Sequence, residues 1–186
     1  MAPQPGLEQF SDWLFRRYHS QAEVSEQAGA AHDEASALTM LITYVYRHTK
    51  AYVKKALEAT PLTTLDEFMF LASLQYDSHL SKTELIQMHL LEITSGIEVI
   101  KRLERSGLVV SSPDIEDKRS RRVSMTSLGR EVLEEAMKRM DQAAMRMTGD
   151  LSGPEQQQLI TLLWRLHDFH GQHNPRIRRG LSDVSV

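Results

Sequence analysis

The chain has 186 residues and sets 22 Lys and Arg against 25 Asp and Glu, a formal net charge of −3. With 41% hydrophobic and 25% charged residues it has the make-up of a water-soluble globular protein, which argues against a disordered or membrane chain, and its negative balance excludes indiscriminate attraction to polyanions, so any such surface must be a local cluster of Lys and Arg. Cysteine is absent, which excludes disulfides, thiol redox chemistry, cysteine nucleophiles and Cys-ligated zinc together.

The first residues lack the basic start and apolar run of a signal peptide, and no later run is long enough to span a bilayer, so the expected location is the cytoplasm. A first helix is expected over residues 7–27, with Phe10, Trp13, Leu14 and Tyr18 along one stripe and Gly29 closing it. From Asp33 to Ala59 the apolar positions Leu38, Leu41, Ile42, Val45, Tyr52, Val53 and Ala56 form a second stripe that ends at Thr60 and Pro61.

Three shorter helices follow, each announced by a hydroxyl-bearing cap with Glu three positions on: Thr64 with Glu67, Ser81 with Glu84, and Ser95 with Glu98 or a nearby equivalent. Gly107 then stops the helical pattern. Leu108, Val109 and Val110 read as a strand, Val123 and Met125 as a second, and a charged hairpin lies between them from Pro113 to Arg122. Helical periodicity resumes at Thr126 through Leu128, Val132, Leu133, Ala136, Met137 and Met140, to about Thr148. Ser152 and Glu155 cap a last helix holding Leu159, Ile160, Leu163, Leu166 and Phe169, and the polar tail after Gly171 is broken by Pro175.

The expected fold is therefore mainly α with a small β-hairpin wing: a winged helix-turn-helix lobe on a helical framework. Its parts are residues 1–60 and 128–172 as dimerisation helices, 61–127 as the lobe, and 173–186 as a tail. In such a lobe the third helix enters the DNA major groove. Ile93, Ile97, Ile100 and Leu103 make its inward stripe and leave Thr94, Ser95, Glu98, Lys101, Arg102 and Arg105 outward. Thr94 and Ser95 suit phosphates or base edges, and Glu98 suits cytosine N4. Lys101 and Arg102 suit phosphates. The competing use of Glu98 is an i,i+4 pair with Arg102 on a solvated helix, and that helix taken alone favours the pairing. The hairpin is more telling, because Lys118, Arg119, Arg121, Arg122 and Arg130 follow with no intervening acid, and a narrow minor groove attracts inserted arginine. Asp114, Glu116 and Asp117 precede that run, and one of them can orient an arginine.

Residues Leu80 to Gly129 resemble the core of the MarR family of bacterial regulators. Leu80-Ser81-Lys82-Thr83-Glu84-Leu85 opens the second helix of the motif, and Ile100-Lys101-Arg102-Leu103-Glu104-Arg105-Ser106-Gly107-Leu108-Val109 closes the third. Asp114-Ile115-Glu116-Asp117-Lys118-Arg119-Ser120 is similar to the family's wing, and Met125-Thr126-Ser127-Leu128-Gly129 to its exit. The resemblance implies a homodimer on double-stranded DNA, with Arg119 reaching the minor groove and Asp117 orienting it. Gly96, Ile97 and Glu98 depart from the family pattern, where a β-branched residue, Thr and Arg stand, and they imply a different target sequence. By the same resemblance a small phenolic or carboxylate effector occupies a crevice with Trp13, Tyr44, Arg47 and His48 as candidate lining residues, although each also serves as ordinary packing.

The remaining features point to no chemistry. His167, His170 and His173 recur every third residue, which spreads them around a helix and builds no metal site. Met137, Met140, Met145 and Met147 suit core or interface, and Arg176, Arg178 and Arg179 suit a solvated tail, with contact to a DNA backbone as the alternative. Nucleotide-binding, zinc-protease and nucleophile-elbow motifs are missing, so neither catalysis nor a cofactor is expected. The alternative is a winged helix used only for protein contacts, without salt-dependent DNA affinity.

Overall fold

The computed structural model describes residues 27–78, 80–114 and 121–173, with side chains from residue 34 onward. The helix expected over 7–27 lies, but for Gln27, outside the described residues, as do Trp13, Asp117, Lys118, Arg119 and the arginines of the tail; Gly29, expected to close that helix, stands inside the first described one. The order is α1 (Gln27–Leu57), α2 (Leu65–Tyr76), α3 (Lys82–Met88), α4 (Ile93–Arg105), β1 (Val109–Pro113), β2 (Arg121–Met125), α5 (Ser127–Met147) and α6 (Gly153–His173). This is the mainly helical fold with one antiparallel hairpin that the sequence predicts.

The described residues fall into two compact units, one up to Thr49 and one from Lys50 onward. In the first, Leu38, Leu41, Ile42, Val45 and Tyr46 of α1 are exposed. In the second, Val53 and Leu57 from the last turns of α1 join the core. Around them pack Phe70, Leu71 and Leu74 from α2, Leu85 and Ile86 from α3, Val99, Ile100 and Leu103 from α4, and Leu133 and Ala136 from α5. Fully burying one such Phe, Leu or Ile contributes roughly 1.5–3 kcal/mol.

Local chemistry explains the short helices. Thr64 accepts from the Glu67 amide at 3.2 Å while Glu67 Oε2 accepts from the Thr64 amide at 3.2 Å, and Ser81 and Glu84 repeat this box on α3. The turn into α4 is closed by Leu90 in the left-handed region, φ 56°. The chain leaves α4 through Gly107 at φ 69°, a conformation glycine adopts without strain.

The hairpin is longer than its apolar residues suggest: Pro113 lies on β1, and Arg121 and Arg122 lie on β2, not in the loop between the strands. Val109 pairs with Met125 and Pro113 with Arg121. Val123 and Met125 face the core, as period-two alternation requires. The Val123 amide also donates to the Leu80 carbonyl at 2.9 Å, which pins β2 to the start of α3. At the exit, Thr126 Oγ1 donates to the Gly107 carbonyl at 2.8 Å and accepts from the Gly129 amide at 3.0 Å. The first turn of α5 is thereby locked under the hairpin.

Candidate nucleic-acid interface

Helix α4 begins earlier than the Ser95–Glu98 pattern implies. Its N-cap is Glu92, whose side chain makes no capping bond, and Ser95 stands inside the first turn. The inward stripe is Gly96, Val99, Ile100 and Leu103, while Ile93 is exposed and Ile97 half-buried. The rotation follows from packing: a Cβ on Gly96 would collide with Ile86 of α3, so only glycine lets the two helices approach this closely. Gly96 is thus a contact of the helix pair and not a groove-facing residue.

Thr94, Ser95, Glu98, Lys101 and Arg105 lie on the exposed face. Glu98 pairs with Lys101 at 2.7 Å, not with Arg102, and the Lys101 ammonium holds its carboxyl below the usual range. Arg102 turns inward by comparison: its Nε donates to Glu67 Oε1 on α2 at 2.5 Å. Burial pushes the Glu67 carboxyl up, but the bonds from Arg102 and Thr63 outweigh it and leave the group below the ordinary glutamate value.

The base of the hairpin is tied in the same way. Asp114, only 6% exposed, accepts from Arg122 Nε at 2.5 Å, so among the described acids of the hairpin it is Asp114 that orients an arginine. Arg121 Nη2 donates to the Ser111 carbonyl at 2.8 Å. Glu104, near the end of α4, accepts from Lys82 Nζ of α3 at 3.0 Å and from Ser111 Oγ of β1. Burial raises its carboxyl and these two donors lower it by more. Glu67 ties α2 to α4, Glu104 ties α3 and α4 to β1, and Asp114 ties the two ends of the hairpin. From the sequence, the capping role of Glu67 and an arginine-orienting role for one of Asp114, Glu116 and Asp117 were legible, while the long-range partners of Glu67 and Glu104 were not.

Elsewhere the residues named from sequence are set apart. Arg47 lies over the Tyr44 ring at 5.5 Å, and His48 is exposed on the same helix. On α6, His167 meets Trp164 edge-on at 5.2 Å and His173 stacks on Phe169 at 4.3 Å. Among the described residues no three potential ligands gather as a metal site, and no helix is long and apolar enough to cross a membrane.

The family description "Winged helix DNA-binding domain" matches residues 62–129, the segment from the loop before α2 to the first turn of α5. In sequence these residues are similar to a winged-helix DNA-binding domain, and their helices and hairpin have its order. Around it, the chain has the fold of MarR-family regulators of known structure. A mutant MarR from E. coli complexed with operator DNA shares 23% identity over 76% of this chain and 99% of its own, with a TM-score of 0.66. BpsR of Bordetella bronchiseptica, whose DNA binding is regulated by 6-hydroxynicotinic acid, shares 24% identity over 70% of this chain and 98% of its own, with a TM-score of 0.64. An organohalide-sensing transcriptional regulator in its 2,4-dichlorophenol-bound form gives a TM-score of 0.68 at 18% identity, over 76% of this chain and 85% of its own. No curated protein matches the sequence significantly. In the winged-helix domain α2 and α3 support α4, α4 carries the exposed polar face, and β1–β2 forms the base of the wing.

Proposed function

We propose that this protein is a cytoplasmic, homodimeric transcriptional regulator that binds a pseudo-palindromic duplex operator and represses by occupying promoter DNA. The observation that carries the proposal is the outer face of α4, where Thr94, Ser95, Glu98 and Lys101 stand exposed beside the hairpin inside a winged-helix DNA-binding domain. Two such helices in successive major grooves would stand about one helical turn apart. Arg119, with Asp117 to orient it and Lys118 beside it, would enter the minor groove. The protein acts by occupancy, with no catalytic step.

Support for the dimer comes from α6. None of its residues is buried in the single chain, although Leu159, Ile160, Leu163, Trp164, Leu166 and Phe169 are large and apolar. Exposed apolar residues in this number on one helix mark an interaction surface, so a second chain is its natural cover. A small phenolic or carboxylate effector would work by favouring a dimer whose helices no longer match the operator spacing, and effector and operator then oppose each other by the same factor. Tyr44, Arg47, His48 and Trp13 remain the candidates for its pocket.

The test is a footprint on the DNA upstream of the coding region, combined with sedimentation. A protected palindrome and a dimer at micromolar concentration are expected. Arg119→Ala should then lower the slope of log affinity against log salt by about 0.9 for each phosphate it no longer neutralises. No protection at any duplex would instead favour a module for protein contacts. That reading draws on the pairing of Lys101, Arg102 and Arg122 with carboxylates of the same chain.

A further inference from the structure

Glu67 is 3% exposed, and both of its carboxylate oxygens are occupied. Oε2 accepts from the Thr63 amide at 2.6 Å, Thr63 Oγ1 at 2.9 Å and the Thr64 amide at 3.2 Å. Oε1 accepts from Arg102 Nε at 2.5 Å, across 35 residues of sequence. A buried carboxylate anchored on three donors cannot swing, so the guanidinium bound to it is held in one orientation. That bond uses one of the five N–H donors of a guanidinium. The Arg102 side chain keeps 36% of its surface exposed on the helix that carries the DNA-facing residues.

We infer that Glu67 is a positioning residue for DNA binding: it holds Arg102 as a preoriented guanidinium whose Nη donors take one backbone phosphate beside the major groove. The inference rests on the DNA-binding reading above. Guanidinium is suited to this double use, since its planar fork serves an anion on each edge, whereas a lysine is a single point charge. Lys101 shows the contrast: its pair with Glu98 is exposed on both sides and offers little fixed geometry. An arginine already immobilised loses less freedom when phosphate arrives, which strengthens binding with no additional bond.

The experiment measures anisotropy of a fluorescein-labelled duplex, selected from a random library by the wild-type protein, across a salt series. Wild type, Glu67→Gln, Arg102→Ala, Arg102→Lys and the Glu67→Gln/Arg102→Ala double variant are compared, each with a melting curve to establish folding. Arg102→Ala should reduce the salt slope by about 0.9, the value for one phosphate left unneutralised. Glu67→Gln should weaken binding roughly tenfold, the cost of ordering one released side chain, and have no effect in the Arg102→Ala background. Arg102→Lys keeps the charge and loses the Nε bond, so it should keep the slope and also bind roughly tenfold more weakly. This variant carries the test if Glu67→Gln does not fold.

An unchanged slope in Arg102→Ala would make Arg102 a strut of the fold and overturn the inference. So would tighter binding by Glu67→Gln, which would mark Glu67 as a countercharge, or equal weakening in both backgrounds. Wild-type affinity in Arg102→Lys would refute the need for orientation. If wild type selects no duplex, the DNA-binding reading fails and this inference with it. Selection of a duplex together with any of the preceding results sinks the inference alone.

Discussion

Gly96→Ala adds one methyl group to the contact between α3 and α4, and the structure sets its cost. A Cβ there would meet Ile86 Cγ1 and would lie 2.6 Å from its Cγ2 and 2.9 Å from its Cδ1. Cγ1 and Cγ2 leave the same carbon, so turning Ile86 relieves one clash by worsening another. Ile86 is 1% exposed and Gly96 is buried, which leaves separation of the helices as the relief. Overpacking of this kind costs about 1–3 kcal/mol, and a clash this deep belongs at the upper end. Replacing glycine by alanine inside a helix returns about 1 kcal/mol. The expected net loss is therefore about 2 kcal/mol. Urea denaturation measures it as a lower midpoint at unchanged m. Ile86→Ala alone should cost about 2–5 kcal/mol through its cavity, and the double variant should cost clearly less than the two singles together, because the new methyl partly fills that cavity. A Gly96→Ala protein as stable as wild type, or strict additivity with Ile86→Ala, would refute the packing argument.

Gly129→Ala should be more damaging, at about 3 kcal/mol, because its Cβ would strike the Leu108 carbonyl oxygen and come within 2.7 Å of Met125 Cγ. That carbonyl also accepts from the Thr126 amide at 3.0 Å and cannot yield, so a loss below about 1 kcal/mol in the same urea assay would contradict the reading. His89 stacks on Phe70 at 5.1 Å and shares a 2.8 Å bond with Ser73, and burial lowers its pKa against a smaller raising effect from Asp66. The unfolded chain therefore binds more protons there, and the contribution of His89 is complete above its unfolded value of 6.5 and declines as pH falls from there through the lower folded value. Urea midpoints measured from pH 7.5 down to 5 should drop less steeply in His89→Gln than in wild type; parallel curves would exclude His89 as the source.

The helices α2, α3, α5 and α6 were legible because their signals are local. The boxes of Thr64 with Glu67 and Ser81 with Glu84 act over three residues, so sequence spacing alone places them. The exit motif was also legible, and the structure adds its reason: Thr126 bonds back to Gly107 while Gly129 fits against Leu108. The start of α4 misled for the same reason that the others succeeded. Ser95 and Glu98 have the spacing of a capping box, but the Leu90 turn and the seat of Gly96 on Ile86 place the cap at Glu92. With the helix turned by that packing, Val99 goes inward and Ile93, which looks equally apolar, faces out.

By itself the sequence determined the class of the protein, through helical periodicity, the caps, the glycine after α4 and the run of cations near the wing. What it could not determine was which of those cations are already committed. Arg102 answers to Glu67 across 35 residues, Lys82 to Glu104 across 22, and Arg122 to Asp114 across the hairpin, at 8. Ion pairing depends on distances of a few ångströms between side chains, and for groups far apart in the chain only the packing of α2, α3, α4 and the two strands sets those distances.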